Sequence, residues 1–477
     1  MTASDGPAAV VSYDDLVASL PPEWPDDPFP GIRRIVRARR EKIVVLDDDP
    51  TGTQTVHGLP ILTRWDAAAL AEELENDLPS VYLLTNSRGM AAAQAARVNR
   101  EIGGLLRLAG QGTDRRLIVA SRSDSTLRGH FPGEVHAIAE GLGETFDAWL
   151  LIPFFLEGGR VTARDVHYVR EGDRLVPAGQ TEFARDPAFA YRASDLREWV
   201  QEKTAGAVAA RDVASVSIDD LRLGGPEHVA GKLAGLTGGR ICIVNGVTYR
   251  DMEVFTAGLL QAEAAGQRFL YRTSASFLRV RAGVPPAPLL TRPDLALEET
   301  GGALFFVGSY VPRTTAQLSH LLERGGVAGV EVGVERLLSD HEREDEIARA
   351  AAAADSTLRA GQDTVVYTSR DLVAVDDPDE NLAIGRRVSS GLVAIARAIT
   401  TRPRYLLAKG GATASDIATE ALAVRRATAL GQILPGVPVW KLGQESLQAD
   451  LPFIVFPGNV GDASALTDVL TALAPQH

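Results

Sequence analysis

Short apolar runs alternate with alanine-rich helical stretches through the first part of the chain, from residue 41 to about 282. The runs are apolar and often β-branched, as in buried strands, and strands alternating with helices are typical of parallel sheets with crossover helices. The pattern therefore predicts a mostly parallel sheet covered by helices. The predicted strands are Ile43–Leu46, Val81–Leu84, Leu117–Ala120, Ala148–Ile152 and Ile241–Val244.

A proline-dense segment, Gly283–Leu295, interrupts this alternation and predicts a linker between domains. Behind it the alternation resumes, so the expected fold is two α/β domains with mostly parallel sheets and the active site in the cleft between them. The expected boundaries are an N-terminal extension at 1–40, a first domain at 41–285, a linker at 286–302 and a second domain at 303–477. The second set of predicted strands is Leu304–Val307, Val327–Val332, Thr364–Tyr367, Tyr405–Ala408 and Phe453–Phe456.

Length and charge narrow the class of protein. A chain of 477 residues exceeds what one hydrophobic core usually supports, which agrees with two domains. The formal charge of -13 opposes a nucleic acid or an anionic membrane as the main partner. The single cysteine, Cys242, excludes an intrachain disulfide framework and favours a reducing cytoplasm. No signal-peptide pattern or membrane-length apolar run is present, so a cytoplasmic protein is expected.

Three consecutive aspartates, Asp47–Asp49, end the first predicted strand and precede Pro50–Gly52. Unpaired ionised carboxylates are costly to bury, so they should face solvent, a cation or a hydroxylated ligand. In open α/β sheets the carboxyl ends of the strands are where ligands bind. The alternative interpretation is an Asp-Pro-Thr-Gly turn whose acids cap a helix.

Other strand ends in the first domain carry cationic and hydroxyl groups. Two arginines can hold a carboxylate through charge-assisted hydrogen bonds, and hydroxyls beside an aspartate suit the OH groups of a sugar-like chain. Because parallel strand ends share one edge, these groups predict a polar ligand site there. The alternatives are an N-cap with a salt-bridged first turn near Ser123 and, for the histidine after the fourth strand, a satisfied structural histidine. The candidates are Asn86, Ser87, Arg88, Arg122, Asp124, Ser125, Thr126, Arg128, His130, Arg160 and His167.

Glycine turns follow three predicted strands of the second domain. Glycine lets the backbone approach an anion closely, and free N–H groups at a helix start hold negative charge. Any one such turn is compatible with an ordinary strand-to-helix connection, whereas three in one domain favour a nucleotide phosphate site. The turns are Gly308–Ser309, Lys409–Gly411 leading to Thr413 or Ser415, and Gly458–Gly461 with Asn459 and Val460.

The order of motifs DDDPTG (Asp47–Gly52), NSR (Asn86–Arg88), SDSTLRG (Ser123–Gly129), KGG (Lys409–Gly411) and PGNVG (Pro457–Gly461) resembles the four-carbon acid sugar kinase family. The similarity spans about residues 42 to 470. It implies a sugar-acid domain followed by a nucleotide domain, and phosphorylation of threonate, erythronate or 3-oxo-tetronate with ATP. The sequence departs from the family pattern at Pro50, where a bulky residue is usual, at Arg122, often a lysine, and in its N-terminal extension. The resemblance implies substrate contacts at Asp48, Asp49, Arg88, Arg122, Asp124 and Arg128, and ATP contacts at Ser309, Gly411 and Gly458–Gly461.

The resulting hypothesis is ATP-dependent phosphorylation of a hydroxyl on a short sugar acid, with Mg²⁺ on the ATP phosphates. Asp48 or Asp49 would accept the hydroxyl proton, Arg122 and Arg128 would bind the substrate carboxylate or the γ-phosphate, and Asp124 completes the catalytic candidates. Lys409, Gly410 and Thr413 join the ATP candidates, no metal-ligating set is predicted, and a homodimer is expected. Three alternatives stay open: a kinase of the same family for a branched or longer oxo-acid such as 3-oxo-isoapionate, a metal-dependent isomerase, aldolase or dehydratase, and a non-catalytic sugar-acid sensor.

Overall fold

The computed structural model describes residues 8–309, 311–370 and 378–475. The chain forms two compact units, Met1–Leu59 with Trp65–Pro286 and Pro60–Arg64 with Ala287–His477. The strands are β1 Val11–Ser12, β2 Lys42–Asp47, β3 Leu59–Leu62, β4 Ser80–Leu84, β5 Leu117–Arg122, β6 Ala148–Ile152, β7 Arg160–Ala163, β8 Val166–Glu171, β9 Arg174–Pro177, β10 Ala214–Val216, β11 Arg240–Val244, β12 Phe269–Thr273, β13 Leu304–Val307, β14 Val327–Val332, β15 Asp363–Thr368, β16 Leu406–Lys409, β17 Arg426–Leu434, β18 Val437–Leu442 and β19 Pro452–Phe456.

The helices flank these strands along the chain. They are α1 Tyr13–Ala18, α2 Phe29–Arg39, α3 Ala67–Glu75, α4 Ala92–Gly110, α5 Gly133–Leu142, α6 Leu196–Lys203, α7 Gly225–Ala234, α8 Tyr249–Ala264, α9 Ala275–Arg281, α10 Pro312–Glu323, α11 Val334–Leu338, α12 Arg343–Arg359, α13 Pro378–Ala398, α14 Gly411–Asp416 and α15 Ala465–Ala472. Among the described residues, no helix combines the length and apolar character needed to cross a membrane.

The first unit is built on a parallel sheet in the order β10-β11-β6-β12-β5-β2-β4. Strand β2 is central and buried along its whole length, which explains the apolar run Ile43–Leu46 between Lys42 and Asp47. The register pairs Asp47 at the end of β2 with Arg122 at the end of β5. All of these strands therefore deliver their following loops to one edge.

A small antiparallel sheet, β1-β9-β8-β7, belongs to the same unit and was not predicted. It brings part of the N-terminal extension into the unit, because Val11 and Ser12 pair with β9. Helix α2 is also held there, since Arg39 donates to the Leu260 carbonyl at 2.6 Å.

The second unit has the strand order β17-β18-β19-β16-β13-β15-β14, parallel from β19 onwards and antiparallel in the β17-β18-β19 part. Its core includes Phe305, Leu407, Ile454 and Phe456. Residues from the predicted linker pack on this unit, with the Leu290 N–H donating to the Gln432 carbonyl at 2.7 Å.

The expected fold class, two α/β domains with mostly parallel sheets, is confirmed. Each predicted strand coincides with an observed one within two residues at either end. Outside the small antiparallel sheet, sequence analysis missed β3, β10, β12 and the β17–β18 hairpin. The missed strand β12 matters most, because it carries an arginine of the candidate site.

Candidate active site

Asp48, at the strand-end edge of the first unit, accepts hydrogen bonds from the side chains of Arg88 and Ser123. Arg88 donates from Nη2 to Oδ1 at 2.5 Å and from Nε to Oδ2 at 3.2 Å, and Ser123 Oγ donates to Oδ2 at 2.5 Å. Burial alone would raise the pKa of Asp48, but Arg88, Arg122 and Arg272 outweigh it and lower the pKa. Asp48 is therefore a fixed anion with little capacity to accept a further proton.

Its neighbour Asp49 is more open to solvent. The side chain of Asp49 is 15% exposed, against 3% for Asp48. Its Oδ1 accepts the Thr51 N–H at 2.9 Å, and its Oδ2 accepts a weak hydrogen bond from Arg88 Nη1 at 3.4 Å. Asp49 thus keeps acceptor capacity for a ligand.

The first aspartate, Asp47, lies below them and pairs with Arg122 at 3.0 Å. Burial raises the pKa of Asp47 to about 7, although the nearby Arg122 opposes the shift. Arg122 is 3% exposed and also donates to Thr51 Oγ1 and Gln54 Oε1. Arg122 therefore supports the turn after β2 from inside.

Arg128 and Asp124 form a second ion pair within the loop after β5. Arg128 Nε donates to Asp124 Oδ2 at 2.7 Å, and the Thr126 hydroxyl donates to the same oxygen. Burial would raise the pKa of Asp124, but Arg128 and Arg88 hold it well below its ordinary value. The side chain of Arg128 is 22% exposed, against 7% for that of Asp124.

Two buried charged residues near this edge were missed by the sequence analysis. Arg272 in β12 donates to the Arg128 carbonyl at 3.3 Å, and burial lowers its pKa. Glu134 at the start of α5 accepts from the Ser87 hydroxyl, and burial together with Asp48 raises its pKa. The sequence offered one indication of Arg272, because it is a charged residue within the otherwise apolar run FLYRT. It offered no indication of Glu134.

Gly129 shows how closely these groups are packed. It adopts a φ of +121°, and a Cβ there would lie 2.5 Å from Ser123 Oγ and 2.9 Å from Arg272 Nη2. Only glycine fits this position without displacing the site.

The remaining candidates of the first unit lie around this cluster. Asn86 has a left-handed backbone, which turns the chain toward Ser87 and Arg88. Ser125 contributes its carbonyl to His167 Nε2 at 2.7 Å. Burial lowers the pKa of His167 to about 4, and its Nδ1 contacts Thr162 Oγ1 at 2.9 Å, so the geometry favours a neutral, structural ring. Arg160 lies on β7, 3% exposed, and donates to the Gly158 carbonyl.

The three glycine turns of the second unit lie together, because β19, β16 and β13 are adjacent parallel strands. Gly410 donates its N–H to the Phe456 carbonyl at 2.8 Å and has a φ of +106°. A Cβ on Gly308 would lie 2.6 Å from Thr413 Oγ1. The first glycine turn therefore packs closely against the start of α14. A Cβ on Gly458, in contrast, would meet nothing within 4 Å, so the backbone of this turn is accessible to a ligand.

Lys409 does not lie at the surface, where a lysine that binds phosphate would be expected. It is fully buried, and its Nζ donates to the Pro457 carbonyl at 2.5 Å. Burial lowers the pKa of Lys409 to about 7, with help from Arg313. Lys409 therefore holds the Pro457–Gly461 turn. Within that turn Val460 is 7% exposed and part of the core, and the Asn459 carbonyl accepts from Arg313 at 3.0 Å.

Arg370, beside the first turn, was not among the predicted residues. Its Nη2 donates to the Ser309 carbonyl, and its Nε and Nη1 have no hydrogen-bond partner in the described part of the chain. Arg370 follows β15, which pairs with β13. Its proximity to the turn after β13 could therefore be inferred only from the order of strands in the sheet. Within the described ranges, no group of three or more His, Cys, Asp and Glu side chains is arranged to hold a metal ion.

Each of the two units matches the model of a known domain family. Residues 43–281 match the model of a sugar-binding N-terminal domain, and residues 304–466 match that of a nucleotide-binding C-terminal domain. The chain belongs to the four-carbon acid sugar kinase family. This family assignment confirms the resemblance found in the sequence and supports a sugar-acid kinase kind of function.

Solved structures agree with the fold. A Salmonella typhimurium LT2 protein, provisionally described as a tRNA synthase, is 18% identical with a TM-score of 0.65, over 90% of this chain and 98% of that one. Haemophilus influenzae protein HI1011, of a family of unknown function, is 16% identical with a TM-score of 0.59, over 90% and 100%. At these identities the similarity shows the fold alone. A search of the curated proteins found no match.

Proposed function

We propose that this protein transfers the γ-phosphoryl group of ATP to a hydroxyl of a short sugar acid. The observation that carries the proposal is the charge arrangement at one sheet edge of the sugar-binding domain, where Arg88 contacts Asp48 and Asp49 and Arg128 lies near Arg88. Carboxylates suit the hydroxyls of a polyol, and guanidinium groups suit its carboxylate. Such a site fits a small molecule that carries both.

Asp49 is the proposed general base. Of the two candidate aspartates it is the more exposed, and its guanidinium contact is the weaker one. It would take the proton of the acceptor hydroxyl as that oxygen bonds to the γ-phosphorus and the bond to ADP breaks. Asp48 would hold Arg88 in place instead of reacting.

The glycine turns of the second unit are the proposed ATP site. Supporting this placement are the match to a nucleotide-binding domain and the open space beside Gly458. Backbone N–H groups of the turns at Ser309, Gly411 and Gly458–Gly461 would approach the phosphates. Mg²⁺ would be bound mainly by those phosphates, where it neutralises developing charge.

The proposed acceptors are a four-carbon aldonate or a 3-oxo-tetronate, with a branched or longer oxo-acid such as 3-oxo-isoapionate as the alternative within the family. Cytoplasmic location and a homodimeric state stay predictions from the sequence.

A coupled ADP-release assay over four- to six-carbon aldonic and oxo-aldonic acids tests the proposal. We expect ADP release with at least one acid and none with the corresponding uncharged alditols. Conversion of a sugar acid without ADP release would instead support the isomerase or aldolase alternative. Binding without any conversion would support a sensor.

A further inference from the structure

Asp186 reaches the sugar-binding site from outside the sheet. It lies in the segment Thr181–Phe189, which follows the small antiparallel sheet. Its Oδ2 accepts a hydrogen bond from Arg128 Nη1 at 3.3 Å, and the two side chains are 23% and 22% exposed. The contact is therefore long and accessible to water.

Arg128 does not need Asp186 for its orientation. Asp124 holds its Nε at 2.7 Å, and the Phe183 ring centre lies 5.3 Å from its Cζ. An arginine fixed by a carboxylate on one side and an aromatic ring on another is already positioned. The contact with Asp186 thus mainly neutralises the charge at Nη1 of Arg128.

The other oxygen of Asp186 shapes its own turn. Oδ1 accepts the N–H groups of Ala188 at 2.9 Å and Phe189 at 3.2 Å. Phe189 in turn packs edge-on against His130, with ring centres 4.9 Å apart. The turn would therefore stay folded when only Oδ2 exchanges its partner.

We infer that Asp186 occupies the face of Arg128 that receives the substrate carboxylate, and that the substrate displaces it by exchanging one carboxylate for another. This inference rests on the part of the proposed function that has the protein bind a sugar acid. An uncharged sugar offers no anion for the exchange and leaves the Arg128–Asp186 pair in place. Asp186 would thus lower the affinity for sugar acids by competing for Arg128, and it would leave the affinity for neutral sugars unchanged.

The test is calorimetric binding of threonate and erythronate, with threitol and erythritol as uncharged counterparts, to the full chain. In Asp186→Asn the turn keeps its Oδ1 acceptor while the competing charge is removed. We expect the acids to bind about two- to fivefold more tightly, the range of a partly exposed ion pair, and the alditols to bind unchanged. The gain should shrink as salt is added.

Glu182→Gln is the matched control, because it removes one negative charge from the same segment at an exposed position. It should leave all affinities unchanged. Asp186→Ser, which also keeps a side-chain oxygen for the turn, should reproduce the gain. Equal or weaker acid binding in both folded Asp186 variants would overturn the inference. Acid binding by the wild type without ADP release would overturn the proposed function and leave the inference standing, whereas failure of the wild type and both variants to bind any acid would overturn both.

Discussion

Arg88 holds both carboxylate oxygens of Asp48, one through Nη2 at 2.5 Å and the other through Nε at 3.2 Å. This two-point contact fixes the guanidinium plane, and the remaining nitrogen, Nη1, reaches Asp49. A lysine has the charge but not the fork, so it can hold one oxygen at a time.

The substitution Arg88→Lys should therefore weaken sugar-acid binding more than it lowers the unfolding free energy. We expect kcat/KM for the acid to fall about tenfold to a hundredfold, as when a charged hydrogen bond is lost, while ATP affinity stays constant. Steady-state kinetics with each substrate varied in turn would measure this. Wild-type kinetics in the variant would show that the two-point contact is unimportant.

Asp49→Asn tests the proposed base. Asparagine keeps the size and the Oδ1 acceptor for the Thr51 N–H, so the turn should survive. We expect kcat to fall about 10²- to 10⁴-fold with little change in binding of the sugar acid, because only proton acceptance is removed. Asp48→Asn should behave differently and cost about 3 kcal/mol of unfolding free energy, because it breaks a buried ion pair. A kcat near wild type in Asp49→Asn would exclude Asp49 as the base.

The sequence was informative where the chain is locally regular. The run at Ile43–Leu46 is apolar because β2 is buried on both faces, and the three aspartates mark the point where it leaves the core. Which side chains pair with each other in the site depends instead on the register between neighbouring strands. Asp47 pairs with Arg122 because β2 and β5 align them, and no local pattern encodes that alignment.

The residues missed by sequence analysis share a physical reason. Arg272 is brought to the site by strand pairing over a long chain separation, with Thr273 in register with Arg122. The segment with Asp186 follows the small antiparallel sheet, whose short strands are half polar. His167 was a site candidate because a histidine near a strand end could act as acid or base, whereas its surroundings bury it with both ring nitrogens hydrogen-bonded.

Gly129→Ala should damage the proposed sugar-acid site selectively. The added Cβ would clash with Ser123 Oγ and Arg272 Nη2, and the φ of +121° is strained for alanine. We expect a loss of about 1–3 kcal/mol in unfolding free energy and weaker binding of sugar acids, with ATP binding unaffected. Urea unfolding and calorimetry would measure both effects. The control is Gly133→Ala nearby, where a Cβ meets nothing within 4 Å. Equal behaviour of the two variants would contradict this account.

Gly458→Val tests the proposed ATP site. Its Cβ would meet no protein atom within 4 Å, so we expect the unfolding free energy to change by less than about 0.5 kcal/mol. If phosphates approach this turn, ATP affinity should fall about tenfold or more, equivalent to 1.4 kcal/mol. Gly385→Val, at an exposed helical position with equally open space, is the control for the substitution itself. Unchanged ATP affinity in Gly458→Val would remove this turn from the ATP site.

His167 should give the protein an acid-sensitive stability. Its Nε2 faces the Ser125 carbonyl, which can only accept, so the neutral ring donates there and accepts at Nδ1 from Thr162. Burial lowers its pKa from 6.5 to about 4. The unfolded chain then binds the proton more readily than the folded one. The contribution of His167 to the unfolding free energy is therefore complete above pH 6.5 and is lost as the pH falls toward 4, by about 3 kcal/mol in all.

The variant His167→Gln keeps a donor for the Ser125 carbonyl but has no titrating ring. Urea unfolding of this variant between pH 4 and 8 should show a flatter pH dependence than that of the wild type. His341→Gln, at an exposed position, serves as the control, and a wild-type slope in His167→Gln would show that other groups govern the acid response.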